Sequence, residues 1–170
     1  MRMSTAKLFK PLNVAVLTFS DKRDAGNDTT GDKLQSWLQR EGHNVVQRMV
    51  IGHDKHQIRA QVCALIAADD VQVVITNGGT GFAPDNVTYE AIEPLLDNAI
   101  DGFGELFRAF SYEDIGSSAL QSRAFAGLTN NTLIACVPGS GGAAQLAWEK
   151  LLQPQLDARQ GPCNFVGHLR

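Results

Sequence analysis

Val71-Gln72-Val73-Val74-Ile75-Thr76-Asn77-Gly78-Gly79-Thr80-Gly81 is the stretch that decides how this chain folds. From Val71 to Thr76 it is almost continuously apolar and β-branched, as a strand covered on both faces must be. It then breaks into glycines, the turn of a strand handing over to a helix. Toward the N-terminus the same pattern recurs in Val14-Ala15-Val16-Leu17, with Val45 to Ile51 a further strand. Between these runs, Leu34, Trp37 and Leu38 keep helical spacing until Gly42 stops them. Asp54 stands where an N-cap would, ahead of a helix with Ile58, Val62, Leu65 and Ile66 on one face. Strand, helix, strand, helix, strand predicts right-handed βαβ crossovers and a three-layer α/β/α sandwich around a mainly parallel sheet.

Toward the C-terminus, Val87 to Asn98 reads as a helix that Pro94 either kinks or restarts as a new first turn. Phe103, Leu106, Phe107 and Phe110 keep helical spacing and read as core or as a subunit interface. Leu133 to Val137 is one more buried strand, running into Pro138-Gly139-Ser140-Gly141-Gly142. Ala144, Ala147, Trp148, Leu151 and Leu152 then trace one face of an amphipathic helix. Ser20 to Thr30, polar and glycine-containing, is a loop. Residues 1–11 show no periodicity and read as a flexible lead-in to a single domain over 12–170.

Composition narrows the class. The 170 residues carry a net charge of −3, leaving no basic field to capture nucleic acid. Apolar residues reach about 52% when glycine is counted and tyrosine is not, and charged residues only 19%. No apolar run approaches the ~18 residues that a membrane helix needs, and no secretory leader is recognisable. Cys63, Cys136 and Cys163 form no metal or redox motif, an odd and scattered set suited to reduced thiols in the cytoplasm.

Two buried strands thus end in glycine turns, at Gly78-Gly79-Thr80-Gly81 and at Pro138-Gly139-Ser140. In open parallel sheets ligands sit beyond the carboxyl ends of the strands. Glycines there let backbone N–H groups approach an anion, and Thr80 and Ser140 add hydroxyls. The same glycines also serve simply as turn formers, but two such loops in one short domain favour a phosphate-bearing ligand. Neither fits a dinucleotide or P-loop fingerprint. Asp21, Asp28, Asp54, Asp85 and Glu90 lie near these loops in sequence, carboxylates that suit Mg²⁺ bridged to phosphates and suit helix capping equally well. His53 and His56, with no third ligand in sequence, read as solvated. Ser122-Arg123 and Arg108 offer phosphate contacts, but unassisted arginines read more readily as surface or interface residues.

Gly78-Gly79-Thr80-Gly81, Val87-Thr88, Glu90-Ala91, Ser122-Arg123-Ala124 through Gly127, and Pro138-Gly139-Ser140 resemble the molybdopterin-binding family of molybdenum cofactor biosynthesis. The ending Pro154-Gln155-Leu156-Asp157-Ala158-Arg159, with Pro162-Cys163-Asn164-Phe165, narrows the resemblance to one branch; it runs from about residue 13 to 168. It implies the fold argued above, molybdopterin as ligand, and a homo-oligomer built from trimers, a hexamer in this branch. In active relatives the terminal phosphate of molybdopterin attacks the α-phosphate of Mg-ATP, giving adenylated molybdopterin and pyrophosphate. Carried over by motif, Gly78, Gly79, Thr80 and Gly81 cradle phosphate, with Thr88 and Glu90 behind them. Thr18, Ser20, Pro138, Gly139 and Ser140 line the pterin side. Asp54 and Asp85 are the candidate catalytic and Mg²⁺-binding carboxylates. The family pattern Arg-Asp-Val-Thr is Asp85-Asn86-Val87-Thr88 here, so a neutral amide replaces the expected acid. Two functions follow from the resemblance: adenylyl transfer, or pterin carriage for other proteins of the molybdenum cofactor pathway. A generic nucleotide-binding module is the alternative from outside it.

Overall fold

A computed structural model describes residues 7–170. Its chain order is β1 (Asn13–Phe19), α1 (Thr29–Glu41), β2 (Asn44–Ile51), α2 (Lys55–Ala67), β3 (Val73–Asn77), α3 (Thr88–Ile92), β4 (Asn98–Ala99), α4 (Asp101–Ile115), β5 (Phe125–Thr129), β6 (Thr132–Val137) and α5 (Gly141–Ala147). The last helix carries on through a π-helical turn, Trp148–Leu152, into a final turn at Gln153–Gln155. One six-stranded sheet has the order β2-β1-β3-β6-β5-β4. Its β2, β1, β3 and β6 run parallel, while β5 and β4 extend it antiparallel. The mainly parallel α/β/α sandwich expected from sequence is the observed architecture.

The continuous apolar runs have a direct cause. Val14, Val16, Val73, Ile75, Leu133, Ala135 and Val137 point to one face, where α1, α4 and α5 cover them with Leu34, Leu38, Phe103, Phe107, Ala147 and Trp148. Ala15, Leu17, Val74, Ile134 and Cys136 point to the other, against Ile58, Val62 and Leu65 of α2 and Ile92 of α3. Burial pushes the Cys136 thiol up to about 12, so it stays protonated as an inert core group. Gly42 ends α1 at φ +97°, a left-handed conformation that favours glycine.

Three features differ from the expectation. The helix predicted over Val87 to Asn98 stops at Ile92 and tightens into a 3₁₀ turn, Glu93–Leu95, with Pro94 inside it; Asn98 belongs to β4 instead. Proline has no N–H to continue the α ladder, but a short 3₁₀ turn tolerates it. The antiparallel strand β5 was not read from the sequence. It forms a hairpin with β6 through Asn130 and Asn131, both at positive φ (48° and 56°), the geometry of a type I′ turn. The loop after β1 ends sooner than Thr30, since Asp28 caps α1 from Thr29 onward.

Of the lead-in, residues 1–6 lie outside the described residues. Residues 7–11 hold no regular element, but the Phe9 ring packs 5.1 Å from that of His43. On the outer edge, β2 carries a bulge: Val14 pairs with Val45 and Ala15 with Gln47, leaving exposed Val46 out of register.

Candidate functional site

Because β1, β3 and β6 are parallel neighbours, their carboxyl ends and the loops leaving them share one edge of the sheet. Gly78 (φ +96°) and Gly79 (φ +69°) take left-handed conformations that turn the chain away from β3. A side chain at Gly78 would run into the Phe19 carbonyl oxygen, and one at Gly139 would reach within 3.3 Å of the Gly78 Cα. The two glycine loops therefore touch. The Gly78 N–H donates to the Val137 carbonyl (3.0 Å), and the Thr88 hydroxyl donates to the Gly78 carbonyl (2.7 Å). On the far side, the Thr30 hydroxyl donates to the Gly139 carbonyl (2.9 Å).

Together the loops wall a cleft of about 290 Å³, formed by Gly79–Gly81 and Pro138–Ser140 with Phe107 and Ile115 as its apolar side. Ser140 caps α5, accepting from the Ala143 N–H (3.2 Å), so its own proton is free to donate. The Ser122 hydroxyl also borders the cleft and is buried with no hydrogen-bond partner among the described residues. Buried polar atoms are ordinarily paired, so this orphan hydroxyl is an exception at the wall of the cleft.

The other expected ligand-binding residues make the following contacts within the chain. Thr18 is buried, and its hydroxyl donates to Asp28 (2.7 Å) while accepting from the Asn77 side chain (2.8 Å). It holds the ends of β1 and β3 together beneath the site. Asp28 is fully buried; it also accepts from the Gly31 N–H (3.1 Å) and pairs with Arg48 (3.1 Å). Ser20 accepts from the Lys22 and Arg23 N–H groups (3.2 Å each) and lines a shallower recess with Asp21 and Gly52.

The first glycine loop is closed by its own side chains. Asn86 Oδ1 accepts from the Gly81 N–H (2.9 Å), and its amide donates to Asp85 (2.9 Å). Arg123 donates to the Gly81 carbonyl (2.9 Å) and to Glu90 (2.6 Å), with its guanidinium over the Phe82 and Tyr89 rings. Glu90 is thus taken up by the loop clamp. The Arg123 hydrogen bond holds the Glu90 carboxyl below the usual glutamate range, against a smaller effect of desolvation. With the folded-state pKa depressed, this stabilisation is present above the ordinary glutamate range and is lost as pH falls through the lower folded value. The pair is half exposed, and its contribution is discounted accordingly, to less than about 1 kcal/mol. Glu90→Gln should flatten the acid limb of a thermal-stability profile by that small amount. Arg123→Ala, which also removes the Gly81 contact, should free the loop and weaken ligand binding about tenfold; equal affinities in titrations of the two variants would contradict the clamp.

Asp54 caps α2, accepting from the His56 and Gln57 N–H groups (2.9 Å each). The Gln57 hydrogen bond is the main cause that keeps its carboxyl below the usual aspartate range. Among the described residues, the fold assembles one metal-capable group, Asp21, His53 and Asp85, whose ligand atoms all lie within 4.8 Å of one another. Asp85 was foreseen there, Asp21 only as a nearby carboxylate, and His53 was read as solvated. Only the adjacency of β2, β1 and β3 could have signalled the group.

A parallel α/β sheet with two glycine loops meeting at its carboxyl edge defines a ligand-binding domain for anionic small molecules. The family model described as "Probable molybdopterin binding domain" matches residues 15–158, and the chain belongs to that family. It is 49% identical over 162 residues to Molybdenum cofactor biosynthesis protein B of Escherichia coli K12, covering 95% of each chain. It is 45% identical to the protein of the same name from Bacillus cereus, over 86% of this chain and 88% of that one. A crystal structure of Molybdenum cofactor biosynthesis protein B superposes with a TM-score of 0.84 at 44% identity, covering 86% of this chain and 92% of that one. The tungsten cofactor synthesizing protein MoaB from Pyrococcus furiosus gives 0.77 at 31% identity, over 85% and 92%. Among the described residues, no helix is long and apolar enough to cross a membrane.

Proposed function

We propose that this protein binds molybdopterin in the cleft between its two glycine loops and carries it, as a cytoplasmic homo-oligomer, to other proteins of the molybdenum cofactor pathway. The observation that carries this reading is the state of Asn86. The residue in the place of the family's acid is neutral, and its carbonyl is spent on the Gly81 N–H. At an effective dielectric near 20, one charge about 4 Å from another contributes about 4 kcal/mol before solvation losses. Without it the site keeps a phosphate cradle and loses much of its hold on a metal–polyphosphate complex. Leu106, Tyr112, Ile115 and Leu120 are large, apolar and exposed on α4 and the turn after it, a surface suited to burial against other copies, in a trimer or a hexamer.

Adenylyl transfer from ATP is the second reading, favoured by the carboxylates of Asp85 and Asp21 beside the first loop. Mg²⁺ bound with ATP would supply neutralisation of the polyphosphate charge, and hard carboxylate oxygens fit it. Asp21, Asp54 and Asp85 each engage one oxygen in local hydrogen bonds and keep the other, but Asp54 caps α2 and stands outside the cluster that Asp21 and Asp85 form.

Titration by pterin fluorescence should show saturable molybdopterin binding to a species sedimenting at a multiple of 18.4 kDa. With ATP and Mg²⁺ added, the wild type should release no pyrophosphate above background, and Asn86→Asp should gain turnover. Turnover by the wild type would replace carriage with adenylyl transfer. Absence of pterin binding would overturn both.

A further inference from the structure

Beside the first glycine loop, the structure assigns a site for a borderline first-row divalent cation of the Zn²⁺ or Co²⁺ type to Asp21, His53 and Asp85. These residues are not a run of acids. They lie some thirty positions apart, on the loops that follow β1, β2 and β3, and the strand order β2-β1-β3 brings them together. Their ligand atoms lie within 4.8 Å of one another, near the separations of roughly 3–4 Å that donors take around an ion bound at ~2.0–2.2 Å.

Each carboxylate is anchored through one oxygen and keeps the other. Asp21 Oδ1 accepts from the His53 N–H (2.9 Å), and Asp85 Oδ1 accepts from the Asn86 amide (2.9 Å). Neither acid has an ion-pair partner among the described residues. A separate observation concerns the imidazole. His53 is half-buried, and its Nδ1 is fully shielded from solvent with no hydrogen-bond partner among the described residues. A buried ring nitrogen left unpaired is costly in a structural histidine. It is accounted for when Nδ1 itself is the atom held for a ligand.

The donor set fixes the class of ion. Two carboxylates balance a dication, and an imidazole favours Zn²⁺, Co²⁺ or Ni²⁺ over Mg²⁺, which demands oxygen ligands and near-octahedral geometry. Three protein ligands leave open positions for water or for a ligand oxygen. This site requires neither ATP nor the pterin and goes beyond the function proposed above.

The test uses the full chain, freed of metal by chelation, with no nucleotide or pterin present. Calorimetric titration with Zn²⁺ should give one ion per chain, with Mg²⁺ at least a hundredfold weaker. Asp21→Asn, Asp85→Asn and His53→Gln should each weaken Zn²⁺ at least tenfold. Asp69→Asn, on the opposite edge of the sheet, should change nothing. Circular dichroism checks folding of each variant. With Co²⁺ in the wild type, a paramagnetically shifted imidazole resonance should appear, and it should be absent in His53→Gln. Zn²⁺ binding at undiminished affinity in His53→Gln, lack of that resonance, or no binding by the wild type at millimolar Zn²⁺ would each overturn the assignment. None of these outcomes bears on pterin binding, which is measured separately.

Discussion

Gly78→Ala is expected to destabilise the fold by about 2–5 kcal/mol and to lower molybdopterin affinity at least tenfold. Two costs add. A residue with a Cβ held at φ +96° loses roughly 1–2 kcal/mol relative to glycine. The added methyl also meets a backbone oxygen, that of Phe19, which cannot rotate aside as a side chain would. Overpacking of that kind costs about 1–3 kcal/mol. Relief requires the end of β1 or the glycine loop to shift, and Gly139 lies against the other side of Gly78, so both walls of the cleft move. For a domain of this size the melting temperature should fall by about 5–15 °C. Gly102→Ala is the matched control: it lies in α4 with open space where its Cβ would be, and should leave stability unchanged or raise it by about 0.4–1 kcal/mol. Equal melting temperatures for the two variants would rule out the steric account.

Asp28→Asn should be nearly as damaging, by about 2–4 kcal/mol, although it changes one atom in a side chain far from solvent. Its carboxylate accepts from Thr18, from the Gly31 N–H and from Arg48 at once. An amide has one acceptor oxygen, so its NH₂ must face a group that is already donating. If Thr18 accepted from that NH₂ as well as from Asn77, its own proton would lose the acceptor it has in Asp28. Removing one partner of a buried pair costs about 3–5 kcal/mol. The lower range applies here because Arg48 keeps Asp32 at 2.6 Å and Gln35 at 2.9 Å. Chemical denaturation measures the loss. A loss below about 1 kcal/mol would show that the Thr18–Asp28–Arg48 chain is incidental to the packing of β1 against α1.

The parts of the fold that depend on local pattern were legible in the sequence. Val14–Leu17, Val73–Ile75 and Leu133–Val137 are covered on both faces, so their apolar runs are unbroken. Gly42 and Asp54 end and begin helices through their own backbone and side-chain chemistry. β5 was not legible because Phe125-Ala126-Gly127-Leu128-Thr129 has no distinctive period. Gly127 is there for close approach, since a Cβ would press on Leu96 and on the Asn98 carbonyl. The glycine loops and Ser140 were found because glycine and hydroxyl chemistry follow a strand directly. Thr18 looks in sequence like a residue at a strand end facing ligand, yet its hydroxyl is used internally. His53 was missed for a topological reason: its neighbours arrive from two other loops, and only the strand order puts them within reach.

The bulge on β2 bears on how copies of this protein avoid the wrong kind of association. An eight-residue outer strand is long enough to template pairing with another chain, a recognised route to aggregation. Val46, the extra residue, interrupts the regular ladder at that rim and increases the local twist, so a second flat strand cannot dock in register. The opposite rim, β4, offers only two residues and no template of useful length. With both rims blunted, lateral sheet growth is disfavoured, and ordered assembly is left to side-chain surfaces such as that of α4.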